Sequence, residues 1–290
     1  MIKPKRLFPI ALVVLLILCG WIWSLGDSLT RASNSDVPAP APPARFVRIY
    51  STDGVVLAGS YWPAPDHAPA VLLLHGNGSN RGAMRETAAW LNAQGYAVLT
   101  VDLRGHGQST PARKSFGLHE ADDARAALDW LRRADPGGRV GVVGFSLGGA
   151  ASLIGRQGPL PVDALALVGV YPDIRHAIFD RLSIRLGPWL AAMAEPFLSF
   201  QSLPRLGVWP SSLSPLRALA QVQAPVMIVG GEADADTPPA ETRALYDAVK
   251  GERELRMLAG VGHGELGRLP DSMRKGLLSF LDRNLKAGPP

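Results

Sequence analysis

Gly144-Phe145-Ser146-Leu147-Gly148 is the segment best suited to chemistry. It follows the strand-like run 139–143 (RVGVV) and precedes a stretch that continues as helix through Leu153 and Ile154. A serine at such a strand-to-helix junction sits on a sharp turn with its hydroxyl presented, and flanking glycines let neighbouring backbone come close. The start of the following helix favours a developing anion. A serine hydroxyl alone is a weak nucleophile and needs a base beside it. The chain offers His67, His75, His106, His119, His176 and His263. Competing chemistries lack their signatures: there is no HExxH, P-loop or clustered acidic calcium loop, and Gly141-x-x-Gly144 is not the GxGxxG fingerprint. The one cysteine, Cys19, can form no internal disulfide and build no cysteine zinc site. No metal and no cofactor is expected.

The elements that must position these residues read as follows. Runs 45–50 and 55–62, separated by Thr52-Asp53-Gly54, suggest a β-hairpin. Run 70–74 (AVLLL) is apolar throughout, as suits a central parallel strand, and ends in His75-Gly76-Asn77-Gly78. Runs 96–101, 139–143, 164–170, 225–229 and 254–258 read as further strands, and 81–93, 118–133, 239–250 and 270–286 as helices. Alternating strands and helices predict an α/β fold, a mostly parallel central sheet with helices on both faces and an antiparallel edge. Residues 173–220 break the alternation. They carry Trp189, Met193, Phe197, Phe200 and Trp209, and suggest a small helical cap over one end of the sheet, some of it lining an acyl pocket.

The motifs, in this order, resemble those of the α/β-hydrolase-fold serine hydrolases. The Gly144–Gly148 elbow is one match. His75-Gly76-Asn77-Gly78 resembles the oxyanion loop, and Asp102-Leu103-Arg104-Gly105-His106-Gly107-Gln108-Ser109 the D-x-R-G-x-G-x-S turn. Gly231-Glu232-Ala233-Asp234 resembles the acid loop and Gly262-His263-Gly264 the histidine loop. The HGNG loop and Gly117-Leu118-His119-Glu120-x-x-Asp123 are similar to the Bem46-like and monoacylglycerol-lipase-like branches. The resemblance implies Ser146 as nucleophile, His263 as general base and Asp234 as the acid that orients it, with Asp236 and Asp173 as alternative acids. It implies an oxyanion hole from the backbone N–H groups of Leu147 and Asn77. Arg104 in the turn motif reads as a structural anchor, with contact to an anionic substrate as the other option. The activity implied is cleavage of a small-molecule carboxylic ester of acyl or lipid type through an acyl-enzyme. The same triad could serve an amidase, thioesterase or acyltransferase, and a silent site would leave a binding protein on this fold.

Residues 7–25 carry no charge and, at 1.5 Å per residue, span about 28 Å as a helix, close to the hydrocarbon thickness of a bilayer. Lys3, Lys5 and Arg6 precede them, and Trp21 and Trp23 stand near the far end. This predicts an N-terminal transmembrane anchor in residues 1–31, with the catalytic domain extracytoplasmic, periplasmic in a bacterium. A signal peptide cleaved near Ser24-Leu25-Gly26, leaving a secreted enzyme, is the rival reading. A lipid attached at Cys19 fits less well, because Leu18 precedes it. Residues 32–44, rich in Pro and Ala, read as a spacer holding the hydrolase domain 45–290 off the membrane. The chain's net charge is +5, of which residues 1–31 carry +3, leaving +2 without a basic block. Nucleic acid is therefore not expected as a partner.

Overall fold

The computed structural model describes residues 4–135 and 137–286. Lys3 of the basic flank and residues 287–290 of the expected domain lie outside the described residues. One eight-stranded sheet organises the chain. Its strands are β1 (Arg45–Tyr50), β2 (Val56–Trp62), β3 (Ala70–Leu74), β4 (Ala97–Val101), β5 (Val140–Phe145), β6 (Ala164–Val168), β7 (Val226–Gly231) and β8 (Arg253–Leu258). They lie in the order β1-β2-β4-β3-β5-β6-β7-β8. The β1–β2 and β2–β4 pairs are antiparallel and the rest parallel.

The side chains of the central strands alternate between two apolar layers, as a period of two requires. Leu72, Leu74, Val142 and Leu167 face α3 (Glu120–Ala134), α4 (Leu147–Leu153) and α9 (Pro239–Ala248) through Leu128, Ala150 and Leu245. Val71, Leu73, Val143 and Val168 face α2 (Arg85–Ala93) and α11 (Asp271–Leu281) through Leu91, Leu277 and Phe280. Helix α3 shows why such segments fold this way. Ala121, Ala124, Leu128 and Leu131 make one buried stripe, acidic Glu120, Asp122 and Asp123 occupy the first turn, and Arg132 and Arg133 occupy the last. The charges complement the helix dipole.

Register brings the ends of five parallel strands together. Leu74 pairs with Gly144, Phe145 with Val168, Val168 with Val229, and Leu258 with Gly231. The segments that follow β3, β5, β7 and β8 therefore leave from one edge of the sheet. Strands β5 and β7 each run two residues beyond the expected end, to Phe145 and Gly231, so β5 abuts Ser146 directly.

Between β6 and β7 stands the helical insertion: α5 (Ile174–Leu186), α6 (Pro188–Ser199), α7 (Ser202–Leu206) and α8 (Pro215–Leu219). Asp173 caps α5 by accepting from the N–H groups of Arg175 and His176, and Pro188 opens α6.

The N-terminal helix α1 (Pro4–Thr30) runs past Gly26 and Asp27 without a break. Its stretch Leu12–Thr30 has a mean hydropathy of 1.9 and is long and apolar enough to cross a membrane. The segment after it is not a free spacer. Ser33 and Asn34 bridge in parallel to His106 and Gly107, and the Asn34 amide donates to Ser109 O at 2.7 Å. Val37 is buried, and Arg85 donates to Pro38 O at 2.8 Å. These contacts dock the segment along the domain, a pairing that its composition does not disclose.

Candidate active site

Ser146 joins β5 to α4 with φ 48° and ψ −112°, a left-handed conformation that costs a non-glycine residue energy and marks a constrained position. The turn closes only because glycine flanks it. A Cβ on Gly148 would collide with the Leu74 carbonyl oxygen, and one on Gly144 would lie 2.6 Å from Gly149 Cα. Leu147 is the first residue of α4, so its N–H has no carbonyl four residues back to meet.

His263 begins the short helix α10 (His263–Leu266), a departure from the loop expected for it. Its Nδ1 lies 2.8 Å from Asp234 Oδ2. The other Asp234 oxygen accepts from the N–H groups of Asp236 at 2.9 Å and Thr237 at 2.8 Å. The Asp234 side chain is wholly buried, whereas the imidazole keeps 15% exposure. Phe145 flanks His263 with ring centroids 5.1 Å apart. Among the described residues Ser146 and His263 form no hydrogen bond. Without substrate such contacts are commonly long and tighten in the complex.

The alternative acids are engaged elsewhere. Asp236 stands 3.5 Å from Arg181 Nε. Asp173 caps α5 and holds His176 Nδ1 at 2.9 Å. Asp234, Asp236 and His263 do bring three potential metal-ligand atoms within 4.8 Å. A cation there would have to break the Asp234–His263 bond or displace the two N–H groups on Asp234.

Asn77 follows β3 and lines the same cavity as Ser146 and Leu147. His75 braces that loop from below. Its Nδ1 donates to Gly76 O at 2.8 Å and its Nε2 accepts from the Leu103 N–H at 3.1 Å. Complete burial, with His106 beside it, pushes the His75 pKa down to about 3, so the ring is neutral. The neutral form suits one nitrogen donating and the other accepting. Arg104 is an anchor: its buried guanidinium contacts Asp123 at 2.7 and 3.0 Å and Asp53 at 2.5 and 3.2 Å. Asp102 accepts from the Arg81 backbone N–H at 2.6 Å and is paired with the Arg81 guanidinium.

A cavity of about 510 Å³ opens above Ser146. Sequence reasoning did not single out several of its walls. Phe116 enters from a loop held by Glu120, whose carboxylate accepts from Ser115 N at 2.8 Å and Gly117 N at 2.9 Å. Tyr171 closes another side and donates to Phe116 O at 3.0 Å. Leu25, Ser28 and Leu29 of α1 form part of the wall. The GLHE stretch was a signal for the first, but hydropathy alone gave none for the last.

Together the sheet order, the strained serine turn and the paired aspartate and histidine define an α/β-hydrolase-fold serine hydrolase. A model of the serine aminopeptidase S33 family matches residues 65–216, and the chain belongs to this family. An uncharacterised protein of Mycobacterium tuberculosis is 30% identical over 276 residues, covering 91% of this chain and 90% of that protein. An esterase of Pyrococcus furiosus has the same fold at a TM-score of 0.68, with 22% identity, over 88% of this chain and 98% of its own. A bacterial membrane phospholipase A superposes with a TM-score of 0.59 and 18% identity, over 96% of this chain and 98% of its own.

Proposed function

We propose that this hydrolase is a membrane-anchored serine esterase that cleaves an acyl or lipid ester. The observation that carries the reading is the Asp234–His263 hydrogen bond beside the strained Ser146 elbow, at the floor of a largely apolar cavity. Ser146 Oγ attacks the ester carbonyl carbon as His263 Nε2 takes the hydroxyl proton. Asp234 holds the imidazole in the tautomer that makes Nε2 the acceptor and stabilises the cation that forms. The N–H groups of Leu147 and Asn77 take the oxyanion, where losing one donor typically costs about 3–4 kcal/mol of transition-state stabilisation. The carbon–oxygen bond to the leaving alcohol breaks as His263 returns the proton to it. Water, deprotonated by the same histidine, then releases the acid from Ser146.

An aminopeptidase reading, which the family's description suggests, requires a carboxylate free to bind a substrate ammonium. Asp236 is the one carboxylate lining the cavity among the described residues, and it faces Arg181 at 3.5 Å. The apolar walls favour an acyl chain. The exposed apolar length of α1, with Ile17 67% and Leu16 61% exposed, fits a helix whose solvent is lipid. The basic residues Lys3, Lys5 and Arg6 ahead of the uncharged run 7–25 favour a cytoplasmic N-terminus and hence a catalytic domain on the other side. The membrane phospholipase A, whose alignment is long enough to reach into α1, supports the anchor reading.

The test is hydrolysis of p-nitrophenyl esters from acetyl to palmitoyl by the full chain in detergent, with the Ser146→Ala protein alongside. The reading requires activity in the first and none above background in the second. Equal rates in both would overturn it.

A further inference from the structure

The end of α1 is fastened to the hydrolase domain rather than merely adjacent to it. Gln201 donates to Ile22 O at 3.0 Å, and Arg205 to Trp23 O at 2.7 Å. The Arg205 guanidinium also lies 4.0 Å from the centre of the Trp23 ring. Asp27 accepts from Arg113 at 2.5 Å and Arg205 at 3.3 Å, and the Lys114 N–H donates to Thr30 O at 2.8 Å. A Cβ on Gly26 would have to displace the Gln201 side-chain amide.

This fastening creates two cavities that share a boundary. The cavity over Ser146 includes Leu25 and Leu29. A second cavity of about 290 Å³ lies between α1 and helices α5 and α6, and every side chain lining it is apolar. Leu25, Leu182 and Leu198 line both. The outer end of the second cavity is at Trp21, Met193 and Phe197, which are 60%, 57% and 63% exposed. That end opens beside the apolar length of α1, at the level where a Trp favours the membrane interface.

We infer that α1 is a wall of the substrate site, and that the groove between α1 and the cap is the path along which the acyl chain of a bilayer-resident ester reaches Ser146. The inference rests on the serine-esterase reading above and deepens it by naming the substrate class and its route. The reacting ester lies over Ser146 and its chain passes the Leu25–Leu182–Leu198 junction toward Met193. An acyl chain entering this way leaves one apolar surrounding for another and avoids exposure to water. A water-soluble short ester needs only the inner cavity.

Two variants place an obstruction at different depths: Leu25→Trp at the junction and Met193→Trp at the outer end. The full chain in detergent is assayed on the p-nitrophenyl ester series. Leu25→Trp is expected to lower the palmitate-to-butyrate ratio of kcat/KM by about tenfold or more. Met193→Trp is expected to depress the longest chains only, with its cut-off at a longer chain than that of Leu25→Trp. Loss by one common factor at all chain lengths, or no change in the profile of either variant, would overturn the inference. A second arm does not depend on turnover. Ser146→Ala protein in phosphatidylcholine nanodiscs is irradiated with an acyl ester carrying a diazirine at its chain end or near its carbonyl. The carbonyl-proximal probe should label Phe116 or Leu29, and the chain-end probe Met193 or Leu198. Labels confined to residues 12–23 would overturn the path. Inner labelling of the Ser146→Ala protein when the parent protein hydrolyses no ester would keep the path and discard the esterase reading.

Discussion

His263 Nδ1 and Asp234 Oδ2 lie 2.8 Å apart although they come from different connections of the sheet, one after β8 and the other after β7. Their meeting depends on the parallel pairing of these strands, in which Leu258 stands opposite Gly231. Two further N–H groups hold the second aspartate oxygen, so the carboxylate has one orientation.

Replacing Asp234 by Asn keeps the shape but reverses the hydrogen-bond demand on Nδ1. The imidazole then adopts the wrong tautomer, and kcat is expected to fall by about 10⁴-fold with little change in KM. Asp236→Asn, which touches Arg181 instead, should stay within about tenfold of the parent. Steady-state kinetics of the two variants on one ester decides between them, and equal losses would contradict the assignment of the acid.

Gly148→Ala tests the elbow as a packing unit. The added methyl meets the Leu74 carbonyl, so β3 or α4 must move. Such overpacking typically costs about 1–3 kcal/mol. Chemical denaturation should report a loss of at least this order together with lost activity. Full stability in the variant would show that the turn has room it is not seen to have.

Arg104 is expected to matter for stability more than for substrate. Arg104→Met strands the buried Asp123 carboxylate, and losing one partner of a buried pair typically costs about 3–5 kcal/mol. The measurement is the denaturation midpoint of the variant against the parent. An unchanged midpoint with a raised KM for anionic esters would instead place Arg104 in substrate binding.

Glu241 of α9 and Asp180 of α5 join the cap to the body of the protein. One oxygen of each is buried without a hydrogen-bond partner. Burial, with the Asp180 carboxylate next to it, pushes the Glu241 pKa up to about 8, and His176 and Asp173 also face the pair. The folded state therefore holds a proton that the unfolded chain gives up near 4.5. The resulting stabilisation is fully present below the unfolded value and is lost as pH rises through the folded one. Melting temperature should fall between about pH 5 and pH 8.5, and Glu241→Gln should flatten that fall. Parallel curves for parent and variant would contradict this account.

Much of this arrangement is legible in the sequence. Ser146 announced itself through its flanking glycines, which are there because backbone packs against backbone. The mostly parallel sheet followed from apolar runs too uniform for a half-exposed sheet. Other features had no local signature. Phe116 enters the cavity because Glu120 gathers two N–H groups of its loop. Asp180 and Glu241 lie far apart in sequence and meet only once the cap is folded. The segment looks like a spacer because composition registers its poor core-forming ability but not its hydrogen bonds to residues 105–109. The segment of α1 reads as an anchor or a signal peptide, since hydropathy does not separate a face toward lipid from one toward a cavity.

The central claim is that Ser146 is a nucleophile activated by His263. The most direct measurement is reaction of the intact protein with a fluorophosphonate, followed by peptide mass mapping. The account predicts one adduct, on Ser146, formed slowly in His263→Ala and absent in Ser146→Ala. A folded parent protein that takes no label, or takes it on another residue, would contradict it.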